Sequence, residues 1–170
     1  MRTVYKAAAL VALVLLAMPL APKAQSAAPP TLRIDVPAVV LKDAKVVFNM
    51  DHLVYEGATP IGLLWMQRLI EDLSRAATPW QVIAVFHGAG GYMLLGDAAY
   101  DRVRKSTGGN PYRAFIAELQ KAGVRFEECG QTARDMGWPN ADLLSGVLVN
   151  SGATFRFVQL VQEGFVQIQP

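Results

Sequence analysis

The chain has 170 residues, of which 52% are hydrophobic and 18% charged, a length and composition that suit one folded domain and argue against intrinsic disorder. The first 26 residues hold three basic side chains and no acidic one, so 13 basic residues stand against 14 acidic ones in the remainder, about −1 in net charge. A nearly neutral domain gives no electrostatic reason to expect nucleic acid or an anionic membrane surface as a partner.

The first 26 residues have the order of features of a secretory signal peptide. Arg2 and Lys6 form a basic start, residues 7–20 are an uncharged apolar run, and residues 24–26 supply small side chains for a cleavage site after Ser26. The 14-residue run is shorter than the roughly 20 residues of a membrane-spanning helix. We therefore predict a periplasmic mature chain that starts near residue 27 and has no membrane anchor.

Residues 27–42 are rich in Pro and Ala and are predicted to form an N-terminal arm or linker with one extended segment around residues 32–40. Residues 43–170 are predicted to form one α/β domain. The single cysteine, Cys129, cannot form a disulfide within one chain. It is therefore a buried inert thiol, half of an intermolecular bridge or a reactive free thiol.

From residue 45 onward, short apolar runs alternate with segments of helical periodicity. The predicted strands are 46–48, 82–86, 124–128, 147–149 and 165–169. The predicted helices are 61–76, a short segment from Tyr92, 111–121, a short segment from about 130 to Gly137, and 152–162. Alternation through short connections predicts an α/β fold with a mainly parallel sheet and helices on both faces.

The first and last of these helices carry more apolar residues than one core-facing stripe needs. Either the extra residues are buried within one domain or they form a subunit interface, because large exposed apolar patches are rare on monomers. We favour a homo-oligomer, with the faces around Trp65 and Phe157 as candidate contacts.

Residues that can do chemistry follow four of the predicted strands. His52 follows the first strand, His87 and a glycine cluster the second, Cys129 the third, and Asn150 and Ser151 the fourth. Loops after parallel strands open on one edge of the sheet, where α/β proteins bind their ligands. The predicted pocket residues are His52, His87, Gly88, Gly90, Gly130, Thr132, Asn150 and Ser151.

Cys129 is the candidate reactive group at this edge. It lies at a predicted strand end just ahead of a predicted helix, where free backbone N–H groups stabilise a thiolate, and Arg134 can add to this effect. Glu127 and Glu128 would oppose a thiolate, but neighbouring strand residues point to opposite faces, so at most one faces the sulfur. The alternative is that Cys129 is a buried small hydrophobe.

The same edge suggests other kinds of site. His52, His87, Cys129 and Asp51 could hold a metal ion, although no two of them have the close spacing of a zinc motif. Residues 88–91 lack the third glycine of a dinucleotide fingerprint and the Gly-Lys-Ser/Thr of a P-loop, and no Gly-x-Ser-x-Gly elbow occurs. The leading prediction thus has no metal or cofactor. The alternative is an oligomeric, non-catalytic protein that binds a small ligand or metal at this edge.

Four parts of the chain carry a resemblance to a known family. They are KVVF (45–48), VFHGAG (85–90), GVRFEECGQT (123–132), and NSGA (150–153) followed by QEGFVQIQP (162–170). In this order they resemble the DsrE/DsrF-like family, the sulfur-relay proteins that include the DsrE, DsrF, DsrH and TusB, TusC, TusD sets. The resemblance covers residues 45–170.

This resemblance implies a three-layer α/β/α domain with a mainly parallel five-stranded sheet that assembles into trimers or hexamers. In relay members, a cysteine just after the third strand carries sulfur as a persulfide, and Cys129 matches that position. The predicted function is therefore a periplasmic sulfur-binding or sulfur-transfer protein, a sulfur carrier or sulfurtransferase. Its implied partners are sulfur donor and acceptor proteins, with His87 and the turn amides shaping the pocket.

Overall fold

The computed structural model describes residues 31–36 and 40–170. The predicted signal peptide and parts of the predicted arm lie outside the described residues. Residues 31–36, taken by themselves, form no helix or strand. The elements below belong to the unit formed by residues 38–170.

The strands of this unit are β1 (Ala44–Met50), β2 (Tyr55–Glu56), β3 (Thr59–Pro60), β4 (Trp80–Phe86), β5 (Arg125–Cys129), β6 (Leu148–Asn150) and β7 (Val166–Ile168). Within the described residues, five of them form a parallel sheet in the order β6-β5-β4-β1-β7, and β2 and β3 pair as a small antiparallel hairpin. Strands β1 and β4 lie in the middle of the sheet, as their continuous apolar sequences predict for strands covered on both faces.

The helices are α1 (Ile61–Arg75), α2 (Asp97–Arg104), α3 (Arg113–Ala122), α4 (Gly130–Met136) and α5 (Ala153–Gln162), with short 3-10 helices at Gly88–Leu94 and Asn140–Asp142. As predicted, α1 starts directly after Pro60, and α3 ends at Gly123. The φ angle of Gly123 is 111°, in the region that favours glycine over residues with a side chain.

Two cores cover the sheet, one on each face. On one face, the apolar residues of β1, β4 and β5 pack against α1, α3 and the 3-10 helix that follows β4. On the other face, Val47, Ile83, Val85 and Cys129 pack against Ala153 and Leu160 of α5. The predicted three-layer α/β/α fold with a parallel five-stranded sheet is therefore confirmed.

The structure differs from the sequence prediction in the connections at residues 51–60 and 88–96. Residues 88–94 are a continuous 3-10 helix, where the sequence predicts a glycine turn and a helix from Tyr92; the α-helix comes later, as α2. This 3-10 helix can approach the end of β1 because residue 90 is a glycine. A Cβ at this position would lie 2.2 Å from the carbonyl oxygen of Met50 and would clash with it. The segment thus docks against the end of β1. The hairpin β2–β3 gives no sequence signal because strands of two residues are too short to show alternation.

The two apolar helices behave differently. Leu63, Met66 and Ile70 of α1 are buried within the chain, and Trp65, at 39%, is the only large apolar residue of this helix that is exposed. Helix α5, in contrast, exposes Phe155, Val158 and Val161 on its outer side. None of the helices in the described part of the chain is both long and apolar enough to cross a bilayer.

Candidate functional site

The carboxyl ends of β4, β5 and β6 open into a cleft of about 460 Å³ that contains the only cysteine of the chain. The residues that line it are His87, Gly88, Cys129, Gln131, Thr132, Ser151, Gly152, Ala153, Thr154 and Phe155. They come from the segments that follow three parallel strands, as the topology requires. We refer to this cleft as the thiol cleft.

Cys129 is the last residue of β5, and the residue is 5% exposed. The backbone N–H of Ala153, the first residue of α5, donates a hydrogen bond to its Sγ over 3.3 Å. Burial acts to raise the pKa of the thiol, but hydrogen bonds from the backbone of Thr132, Ala153 and Gln131 and from the Thr132 side chain outweigh burial, so the pKa of Cys129 is lowered. The cleft therefore favours the thiolate, the nucleophilic form of cysteine.

Thr132 joins the two sides of the thiol cleft. Its Oγ1 accepts a hydrogen bond from the backbone N–H of Gly88 over 2.9 Å, which leaves the hydroxyl proton free for the sulfur of Cys129. One side chain thus fixes the 3-10 helix after β4 and also stabilises the thiolate.

Replacing Thr132 by Val tests this role, because the change keeps the shape of the side chain and removes the hydroxyl. We expect alkylation of Cys129 by iodoacetamide at pH 7 to slow roughly three- to tenfold, as expected for one lost hydrogen bond to an anion. Thr154→Val, a change in the same cleft, is the matched control and should leave the rate unchanged. Equal rates for both variants would show that the Thr132 hydroxyl does not stabilise the thiolate.

The two glutamates before the cysteine have opposite environments. Glu127 forms a two-pronged ion pair with Arg156 of α5, with N–O distances of 2.8 and 2.9 Å, and a third contact of 3.1 Å to Arg125. Its charge is therefore compensated. Glu127 lies on the same face of the strand as Cys129, so its ion pair with Arg156 also holds α5 in place on that face. The first backbone N–H of α5 contacts the sulfur of Cys129.

Glu128 points to the opposite face and is fully buried. Both of its carboxyl oxygens lack a hydrogen-bond partner among the described residues, and Oε1 would lie 2.6 Å from a Cβ added to Gly91. Burial, together with the nearby Cys129 thiolate, raises the pKa of Glu128 to about 8. At neutral pH it is protonated and therefore adds no negative charge beside the thiolate.

His87 contributes the only imidazole that lines the thiol cleft. Its Nε2 lies 2.7 Å from Oδ1 of Asn49, and its ring makes an edge contact with Phe157. Partial burial lowers the pKa of His87 more than the nearby Asp51 carboxylate raises it. The neutral ring is therefore the dominant form at neutral pH.

The structure brings five of the predicted site residues to the cleft: His87, Gly88, Cys129, Thr132 and Ser151. The other four, which are described next, lie beside the cleft without lining it.

His52 is exposed and pairs with the carboxylate of Asp51. Gly90 and Gly130 are close-approach positions, since a Cβ on Gly130 would lie 2.4 Å from the carbonyl oxygen of Asn150. The Asn150 side chain donates to Glu127 and accepts the backbone N–H of Gly152, so it shapes the entry to α5.

The start of α5, residues 152–155, and Gln131 line the cleft but were not predicted as site residues. The predicted topology places the start of α5 at the edge of the sheet where the cleft lies. Ala153 contacts the Cys129 sulfur through its backbone N–H, however, and the type of residue at a position does not predict a backbone contact.

Within residues 31–36 and 40–170, no three His, Cys, Asp or Glu side chains are grouped closely enough to hold a metal ion.

Comparison with known proteins shows which family the chain is similar to. The family model described as the DsrE/DsrF-like family matches residues 62–170, well over half of the chain. No curated protein matches the chain.

Two solved structures are similar. The protein of unknown function MTH1491 from Methanobacterium thermoautotrophicum is 28% identical, with a TM-score of 0.57, and the match covers 75% of this chain and 100% of that one. The ychN protein from E. coli, 14% identical with a TM-score of 0.51 and coverage of 74% and 99%, shares the fold. The chain belongs to the DsrE/DsrF-like family, and this membership implies a function related to sulfur relay.

Proposed function

We propose that the mature chain is a periplasmic sulfur carrier in which Cys129 holds one sulfane sulfur as a persulfide and passes it to an acceptor thiol. In the loading step, the thiolate attacks a terminal sulfur of a polysulfide or a donor persulfide. The S–S bond of the donor breaks, its electron pair leaves with the shortened donor, and Cys129 becomes a persulfide anion. No outside oxidant or reductant is needed.

The observation that carries this proposal is the hydrogen bonding of the Cys129 sulfur in an open cleft. A buried inert thiol has no need of N–H donors from two helices, whereas a thiolate or persulfide anion is stabilised by them. The volume of about 460 Å³ leaves room for the extra sulfur and for a donor or acceptor group. Family membership supports the same chemistry, and members of sulfur-relay complexes act with partner proteins.

The first test of the proposal is whether the protein takes up sulfur. Purified protein, incubated with excess polysulfide and then freed of it, should gain about 32 Da per chain by intact mass spectrometry, the mass of one sulfur atom on the thiolate. Cys129→Ser should show no gain, while His52→Asn, outside the cleft, should load like the wild type. A wild-type chain that stays unmodified would contradict the sulfur-carrier proposal.

We extend the proposal to export and assembly. The order of features in residues 1–26 supports cleavage after Ser26, so protein recovered from the periplasm should begin near residue 27. Helix α5 exposes Phe155, Val158 and Val161, and Leu148 of the edge strand β6, which pairs with Glu127 on the same face of the sheet, is also exposed. A second copy of the chain fits this apolar surface best, in agreement with the assembly that the family resemblance implies.

Light scattering at micromolar concentration checks the assembly. The wild type should have the mass of a trimer or hexamer, and Val158→Glu, which puts a charge at the centre of the exposed α5 surface, should shift it towards the monomer. Val54→Glu, an exposed position away from this helix, is the matched control and should leave the mass unchanged. A monomeric wild type would contradict the proposed assembly.

A further inference from the structure

A row of polar side chains connects His87 to the carboxyl-terminal end of the chain. Nε2 of His87 contacts Oδ1 of Asn49 over 2.7 Å, and Nδ2 of Asn49 contacts Oε1 of Gln169 over 2.5 Å. Nε2 of Gln169 contacts Oδ1 of Asp51 over 2.9 Å and the backbone carbonyl of Asn49 over 3.3 Å. The sulfur-loading step described above uses none of these contacts.

The acceptors at the far end determine the direction of every hydrogen bond in this row. A backbone carbonyl can only accept, and so can the carboxylate of Asp51, so the Gln169 atom between them is the amide nitrogen. Its other atom, Oε1, must then accept, and Asn49 donates to it through Nδ2. The remaining atom of the Asn49 amide, Oδ1, therefore faces His87 as an acceptor.

An acceptor at 2.7 Å from Nε2 requires that this ring nitrogen carries the hydrogen. In the neutral ring the other nitrogen, Nδ1, is then without a hydrogen and is the basic one. Because His87 lines the thiol cleft, the row leaves a defined proton acceptor on a residue of that cleft.

We propose that Asn49 and Gln169 are positioning residues that hold His87 in the Nε2–H form, so that Nδ1 accepts the proton of an incoming acceptor thiol. This inference rests on the proposed function. In the hand-off step, the thiol proton moves to Nδ1 and the resulting thiolate attacks the outer sulfur of the Cys129 persulfide. A new S–S bond forms on the acceptor, the old one breaks, Cys129 leaves as the thiolate, and the imidazolium returns its proton to water.

The first test is independent of sulfur chemistry. The chain has two histidines, so ¹⁵N NMR of histidine-labelled protein can be assigned with His52→Asn. At a pH where the ring is neutral, the spectrum of wild-type His87 should show a protonated Nε2 and an unprotonated Nδ1. Asn49→Leu, which removes the acceptor at similar size, should give a mixture of the two forms. Asn49→Asp, which keeps an acceptor oxygen, should restore the Nε2–H form.

The second test measures hand-off from sulfur-loaded protein to 2-mercaptoethanol. Asn49→Leu should slow it severalfold, less than the roughly hundredfold or more that general base catalysis contributes, because some of the rings keep the Nε2–H form. Loading from polysulfide should be unchanged, and Asn49→Asp should recover most of the rate. Either an Nδ1–H form in the wild type or an Asn49→Leu variant with unaltered tautomer and hand-off would overturn the proposal. Failure of the wild type to load sulfur, together with an Nε2–H ring that depends on Asn49, would refute the proposed function and the hand-off step and would leave the positioning of the His87 ring by Asn49 standing.

Discussion

The contribution of Glu128 to the free energy of unfolding should fall by up to about 5 kcal/mol as the pH rises from about 4.5 to 8, and Glu128→Gln should gain stability relative to the wild type by this amount. Between these values the unfolded chain ionises Glu128, whose ordinary pKa is 4.5, whereas the folded chain keeps the proton because burial raises the pKa to about 8. At this site the unfolded state therefore binds fewer protons, and the contribution of Glu128 to stability falls with rising pH. Below this range both states are protonated, and above it both are ionised.

Urea denaturation at fixed protein concentration between pH 5 and pH 9 measures this effect. Near pH 5 the variant and the wild type should be similar in stability, and at pH 8 to 9 the variant should be the more stable. Glu118→Gln, which removes an exposed carboxylate of α3, is the matched control and should follow the wild type. Parallel curves for wild type and Glu128→Gln would show that Glu128 is ionised in the folded protein at neutral pH.

Loss of Arg156 should destabilise the protein by about 3 kcal/mol, the range for breaking a buried ion pair on one side. Arg156 is 14% exposed and Glu127 4%, so Arg156→Ala leaves a buried carboxylate with the longer contacts to Arg125 and Asn150. The start of α5 should also loosen, so alkylation of Cys129 at neutral pH should slow as the N–H of Ala153 leaves the sulfur.

Two comparisons test whether the unpaired carboxylate of Glu127 causes this loss of stability. Arg75→Ala breaks an ion pair whose side chains are 74% and 68% exposed, and its midpoint in urea should change little. Removing both partners, with Glu127→Leu and Arg156→Leu, should cost less than Arg156→Ala alone because no unpaired charge remains. A double variant less stable than the single one would contradict the claim that the unpaired Glu127 carboxylate causes the loss of stability.

Much of the fold could be predicted from the sequence because its central strands are buried on both faces. Residues 46–48 and 82–86 are continuous apolar runs, and Pro60 and Gly123 mark the limits of helices. The hairpin β2–β3 and the 3-10 helix after β4 could not be predicted. They depend on tertiary contacts, such as the approach of Gly90 to the Met50 carbonyl, rather than on periodicity.

The candidate site was predictable to the extent that topology determines it. The ends of β4 and β5 bring His87 and Cys129 to one cleft, as parallel strands require. The sequence also indicated that the two glutamates face opposite sides, but not that Glu127 is paired with Arg156 while Glu128 has no partner among the described residues. The environments of these two glutamates depend on how α5 and the 3-10 helix pack against the sheet. Local sequence patterns do not predict that packing.

Cyanolysis of sulfur-loaded protein tests most directly whether Cys129 carries sulfane sulfur. Mass alone is ambiguous, because oxidation of the thiol to a sulfinic acid also adds about 32 Da. Cyanide removes the outer sulfur of a persulfide as thiocyanate and leaves the thiolate, whereas it does not reverse a sulfinic acid. We predict one thiocyanate per loaded wild-type chain, return to the unmodified mass and no thiocyanate from Cys129→Ser. A mass gain that persists in cyanide, with no thiocyanate released, would contradict the account.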